Sequence, residues 1–106
     1  MRPVTVQVVG ADESAVIPLD IYLTPFNVSL QVRDVAGAVD MTVQYTNDDV
    51  FAEGFDPATA TWFDHADLTN VLGPTVGTII SPVTAVRLVN GDVGTAELRV
   101  VQAGAA

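Results

Sequence analysis

The sequence predicts an all-β protein, an antiparallel β-sandwich of jelly-roll or Greek-key type with about six to eight short strands. Three observations lead there. Apolar and polar residues alternate with a period of two in five separate runs, which marks strands with one dry and one wet face. Glycines and prolines punctuate those runs. No stretch carries the 3.6-residue apolar stripe of an amphipathic helix. A small closed barrel is the alternative architecture.

Taken in chain order, Pro3 opens a first strand in which Val4, Val6 and Val8 alternate with Thr5 and Gln7. A shorter extended piece is expected at 15–23. Pro25 then introduces Phe26, Val28, Leu30 and Val32, interleaved with Asn27, Ser29, Gln31 and Arg33. Val39, Met41, Val43 and Tyr45 alternate with Asp40, Thr42, Gln44 and Thr46, and a second short extended piece is expected at 75–80. After Pro82, Thr84, Val86 and Leu88 alternate with Ala85 and Arg87, and the last run sets Ala96, Leu98 and Val100 against Thr95, Glu97 and Arg99. Between these last two runs, "VNGDVGT" reads as a short hairpin loop in which Asn90-Gly91 supplies the positive φ values. The best helical candidate is one turn near Ala66–Val71. Arg33, Arg87 and Arg99 fall on wet-face positions, where bonds across strands to some of the thirteen acids are expected. The small-residue tail at 103–106 is either loose or docked.

The chain has 106 residues, which suits one domain spanning 1–106. Folding at this length hides roughly two-thirds of the extended chain's surface, enough for one core and little for a deep pocket. No run approaches the ~18 apolar residues of a membrane span, and the N-terminus lacks the apolar core of a signal peptide. Synthesis in a cytoplasm is the expectation, and without cysteine the fold owes nothing to disulfides. Thirteen acidic residues oppose four arginines, and lysine is absent, for a net charge of −9. That balance repels phosphate backbones and anionic membrane surfaces, so neither nucleic acid nor membrane is an expected partner.

The segment at about 47–75 breaks the alternation. It carries Phe51, Phe55, Trp62 and Phe63 together with the only histidine, His65. A long connection of this kind in a small domain is usually functional. Chemistry finds little support in it. His65 stands between Asp64 and Asp67 with no thiol and no second imidazole, and none of Ser14, Ser29 and Ser81 sits in a glycine-flanked elbow. No catalytic residue, cofactor or zinc site is expected. Calcium is the better metal guess, through Asp48, Asp49, Glu53 and Asp56, but the spacing of a calcium loop is missing and these acids also suit Asx turns. Adjacent Trp62 and Phe63 point to opposite faces of a strand: Trp62 is expected to cap the core and Phe63 to pack under a loop, with an aromatic anchor at a protein interface as the alternative reading. Asp48, Asp49, Phe51, Phe55, Trp62, Phe63 and His65 are therefore the candidate partner-contact residues, with 47–68 and the two terminal segments as the contact regions.

The blocks "TPFNVSLQV", "TVQYTNDDVF", "WFDH", "PVTAVRLV" and "GTAELRVVQAG", in that order over about 24–104, resemble a class of small structural proteins of tailed bacteriophages, in particular capsid decoration (cement) proteins. The resemblance implies a sandwich or jelly-roll scaffold in repeated copies, and the local symmetry of a capsid lattice leads to the expectation of homotrimers or homodimers. It also implies a place on the virion exterior, where the major capsid protein lattice is the partner and stabilisation of that lattice is the role, with no cofactor and no enzymatic activity. A head–tail connector or tail protein is one alternative, and a carbohydrate- or receptor-binding module is the other.

Overall fold

Nine strands form two antiparallel sheets in a computed structural model that describes residues 3–22 and 24–105. They are β1 (Val4–Val9), β2 (Asp12–Glu13), β3 (Ile17–Pro18), β4 (Thr24–Ala36), β5 (Met41–Thr46), β6 (Phe63–Asp64), β7 (Thr75–Ile79), β8 (Ala85–Asn90) and β9 (Thr95–Ala105). One sheet has the order β1-β9-β4-β7, the other β2-β8-β5-β6 with β3 also paired to β8. The expected all-β sandwich is what the chain forms.

The pairing explains the topology. β1 pairs with β9, β2 and β3 with β8, β4 with β7, and β5 with β6. The chain is therefore one long hairpin whose tip is the connection between β5 and β6. Two further pairings, β4 with β9 and β5 with β8, roll that hairpin into two sheets. With β2 and β3 as halves of one interrupted strand, this is an eight-stranded jelly-roll.

The alternating runs face inward as their period demands. Val28, Leu30 and Val32 of β4 and Leu98 and Val100 of β9 meet Met41, Val43, Val86 and Leu88 of the other sheet, all of them buried in one continuous core. Burying each such side chain contributes about 1.5–3 kcal/mol, which sets the register, since a one-residue slip would turn a whole face outward.

Three expectations are corrected. Residues 66–71 form no helix; they follow β6 along β5 as a ragged edge, with Leu68 O accepting from Val43 N at 2.9 Å and Val71 bridging Met41. The "VNGDVGT" stretch is not a hairpin, because β8 and β9 belong to different sheets. Among the described residues, the positive φ values lie at Gly10, Gly37, Gly54 and Asn70, and Asn90 is buried instead of capping a turn. The tail docks through its backbone, since β9 runs to Ala105, which is the partner of Thr24.

On the outer face of the first sheet, Arg33 donates to Glu97 across the β4–β9 pairing, and Glu97 is buried while Arg33 stays exposed. The hydrogen bond from Arg33 holds the Glu97 carboxyl below its ordinary value of 4.5, with burial opposing and the charges of Arg33 and Arg99 assisting. A carboxylate held low in the folded state adds stability above the unfolded value and loses it as pH falls through the folded one. Glu97→Gln is thus expected to flatten the stability loss below about pH 4.5. Thermal melts of both proteins from neutral to acid pH check this, and an unchanged acid limb would contradict it.

Candidate contact surface at one end of the sandwich

The stretch that follows β5 divides into two parts, the β5–β6 connection and a border formed by β6 and the residues after it. Its first part, 47–62, is a loop closed at the base, where Asp48 Oδ2 accepts from Thr61 N at 2.9 Å. Within it, Asp49 Oδ1 accepts from Phe51 N at 3.1 Å and Asp56 Oδ1 from Ala58 N at 2.9 Å, so these acids shape their own backbone as Asx turns. Among the described residues, no three His, Cys, Asp or Glu side chains converge as metal ligands would.

Trp62 fastens this loop to the outer face of the second sheet. Its ring lies 4.2 Å from the Arg87 guanidinium and its Nε1 donates to Pro57 O at 2.9 Å. Arg87 in turn bonds Gln44 Oε1 and Glu13 Oε2, each at 2.9 Å, and Gln44 Nε2 donates to Asp64 Oδ1, also at 2.9 Å. The expected wet-face arginine is therefore buried beneath a tryptophan. Trp62→Ala is expected to cost about 2 kcal/mol, because the cation–π contact and the ring's cover are lost together. Limited proteolysis should then cut within 49–61 faster than in wild type, and unchanged cleavage would contradict the docking.

The second part, 63–71, borders the sheet. Phe63 stacks on Tyr45 with ring centroids 5.8 Å apart and remains half-exposed, on the face opposite Trp62. His65 is turned inward: its Nε2 donates to Thr78 O at 2.8 Å, and its Nδ1 accepts from Asp67 N at 3.1 Å. It staples the edge of one sheet to β7 of the other. A buried imidazole committed to two backbone groups is a structural element, so the expectation that His65 offers a contact surface is corrected.

The opposite wall of the loop forms a different feature. A groove of about 700 Å³ runs between residues 18–22 and 47–51, lined by Leu19, Ile21, Tyr22, Val50 and Phe51 with Asp20 and Asp49 at its rim. Tyr22 is 84% and Phe51 79% exposed, an unusual state for two aromatics on so small a domain. Both walls are pinned through the backbone. Buried Gln102 accepts from Asp20 N at 2.9 Å and donates to Asp20 O at 2.7 Å, which holds the first wall on β9. The Thr84 hydroxyl sits 2.9 Å from Thr46 O and 2.6 Å from Asp48 O, which holds the second. The rim carboxylates are tied down as well, since Asp20 Oδ1 accepts from Tyr22 N at 2.9 Å.

Of the candidate contact residues, the structure brings Asp49 and Phe51 to this groove, while Asp48 closes the base of the 47–62 loop. Phe55, Trp62, Phe63 and His65 lie elsewhere. The partners missed in the sequence are Leu19, Ile21 and Tyr22. A signal existed: "PLDIYLTP" holds three adjacent apolar residues, Ile21, Tyr22 and Leu23, between two prolines, outside any alternation. Of the terminal segments, residues 1–2 and 106 lie outside the described residues. Neither a family model nor a curated protein sequence matches the chain.

Proposed function

We propose that this is a non-enzymatic phage structural protein that decorates the outside of a capsid, gripping the major capsid protein lattice through the groove between 18–22 and 47–51. The observation that carries the proposal is the pair of exposed aromatics, Tyr22 and Phe51, on two separate loops whose backbones are tied by Gln102 and Thr84 at one end of the jelly-roll. Aromatics so presented gain most when a partner covers them, and they dominate the binding energy of protein interfaces. A sugar-binding face would instead align its rings on one flat surface.

Charge supports the same assignment. The net charge of −9 favours a place away from packaged DNA, and the Asp20 and Asp49 carboxylates beside the groove suit a partner surface with an apolar side chain next to Arg or Lys. Many copies act at once, so each needs only a modest interface to stiffen the shell. Homotrimers or homodimers would match the local symmetry of such a lattice.

Co-sedimentation with capsids that lack the protein tests this. Wild type should bind to saturation, and Phe51→Asp should weaken binding about 30-fold, equivalent to about 2 kcal/mol lost at a central aromatic. If capsids ignore the protein while tail tubes or connectors capture it, the decoration role is wrong and a neck or tail role replaces it.

A further inference from the structure

The edges of the two sheets are treated unequally. An open edge presents unpaired N–H and C=O groups that invite another strand, and proteins blunt it with charge, proline, short strands or covering segments. Three edges here are blunted among the described residues. β2 and β3 carry Asp12, Glu13 and Pro18; β6 is two residues long and includes Asp64. β7 is partly closed: His65 Nε2 takes the Thr78 carbonyl at 2.8 Å, and the Leu68 and His65 side chains pack against Gly77, about 3.0 Å from where a Cβ would stand.

β1 is the exception. It reads VTVQVV, pairs with β9 alone and holds no charged residue, in a chain with thirteen acids. Gly10 N donates to Gly94 O at 2.9 Å, continuing the β1–β9 register and fixing its phase. Val4, Val6 and Val8 therefore exchange hydrogen bonds with β9, while Thr5, Gln7 and Val9 direct their N–H and C=O groups away from it. Val4 and Val6 pack on the core and yet remain half-buried at this margin.

We propose that a second copy of this chain pairs with β1 in antiparallel register, with Val6 on the twofold axis, joining two four-stranded sheets into one of eight strands. The strand is complementary to itself. Thr5 then stands opposite Gln7 of the second copy, outward donors meet outward acceptors, and no charge faces a charge. Pro3, which has no N–H to offer, falls opposite Val9 and ends the ladder. The half-exposed valines of each copy cover those of the other. The remaining surface is acidic and repels a like copy, so association strengthens as salt screens that repulsion. The pairing concerns the free protein and does not depend on the capsid role.

Sedimentation velocity on the free protein, in low and in high salt, tests the proposal. The expected result is a reversible monomer–dimer equilibrium that moves toward dimer with concentration and with salt. Thr5→Pro removes one outward N–H and no backbone hydrogen bond to β9, and it gives up only the 3.4 Å bond that the Thr5 hydroxyl accepts from Arg99 Nε, so it should weaken dimerisation about tenfold or more with little change in the thermal midpoint. In this cysteine-free chain, Val6→Cys should give a disulfide-linked dimer on mild oxidation, because the axis sets the two sulfur atoms side by side. A wild type that stays monomeric at every salt concentration overturns the proposal. So does a Thr5→Pro variant that dimerises as wild type does; should Thr5→Pro fail to fold, absence of the Val6→Cys cross-link overturns it alone.

Discussion

A Gly94→Ala variant loses about 3 kcal/mol of stability or more, enough to leave much of a domain this size unfolded near its usual melting range. The reason is contact with backbone. A Cβ on Gly94 would stand 2.3 Å from Ala38 O and 2.5 Å from Ala36 O, and neither carbonyl sits at the end of a flexible side chain that could swing aside. The approach is close because Gly94 N donates to Ala38 O at 2.7 Å, where the chain passes from the β8 sheet to the β9 sheet beside the β4–β5 turn. That turn is itself built on Gly37 with φ +69, so it has little freedom to retreat. Chemical denaturation of both proteins measures the difference. A Gly94→Ala protein within about 1 kcal/mol of wild type would mean that the crossover yields more readily than its contacts imply.

Asn90→Ala is the second large loss, about 4 kcal/mol. The Asn90 side chain is almost fully buried and serves as a plug for the same end of the sandwich. Its Nδ2 lies within hydrogen-bond distance of Gly10 O, Asp92 O and Gly94 O at 2.9, 3.2 and 2.9 Å. Its Oδ1 accepts from Asp40 N at 3.1 Å and Asp92 N at 3.2 Å. Removing the amide strands backbone groups from three connections at once, and each unpaired buried group costs about 1–3 kcal/mol. Asn90→Asp separates the two halves of this role, since it keeps the acceptor and removes the donor. Its second carboxylate oxygen would face the three carbonyl oxygens of Gly10, Asp92 and Gly94 at a buried site, so at neutral pH it should lose at least as much as Asn90→Ala. Because Asn90 and Gly94 share partners, the double variant should lose less than the sum of the two single losses.

These two residues also show what was legible in the sequence. The faces of the strands were, because a side chain's side of the sheet follows from its position in an alternating run. Val28, Leu30, Met41, Val43, Leu98 and Val100 all lie inside as their spacing requires. Strand order was not, since the period of Leu98 is the same whichever neighbour β9 takes. The Asn90-Gly91 pair misleads for that reason. Its local chemistry suits a hairpin, but whether the next strand returns to the same sheet is decided by the rolling of the whole chain. The candidate site was half legible. Phe51 stood out as an apolar residue beyond the end of a strand, and Asp48 and Asp49 as turn formers. Tyr22 gave only a weak signal, because its place beside Phe51 arises from contacts distant in sequence, with Gln102 and Thr84 setting the two walls. Trp62 and His65 drew notice as rare residues, and both serve the fold. The partners that hold them, Arg87 and Thr78, lie 25 and 13 residues away and carry no local mark.

Image reconstruction of capsids carrying this protein tests the central claim most directly. The predicted result is density for the jelly-roll on the outer surface of the shell, with the end that bears Tyr22 and Phe51 seated against the capsid protein. A particle in which that end faces solvent, or in which the shell is bare and the density lies on the tail, would contradict it.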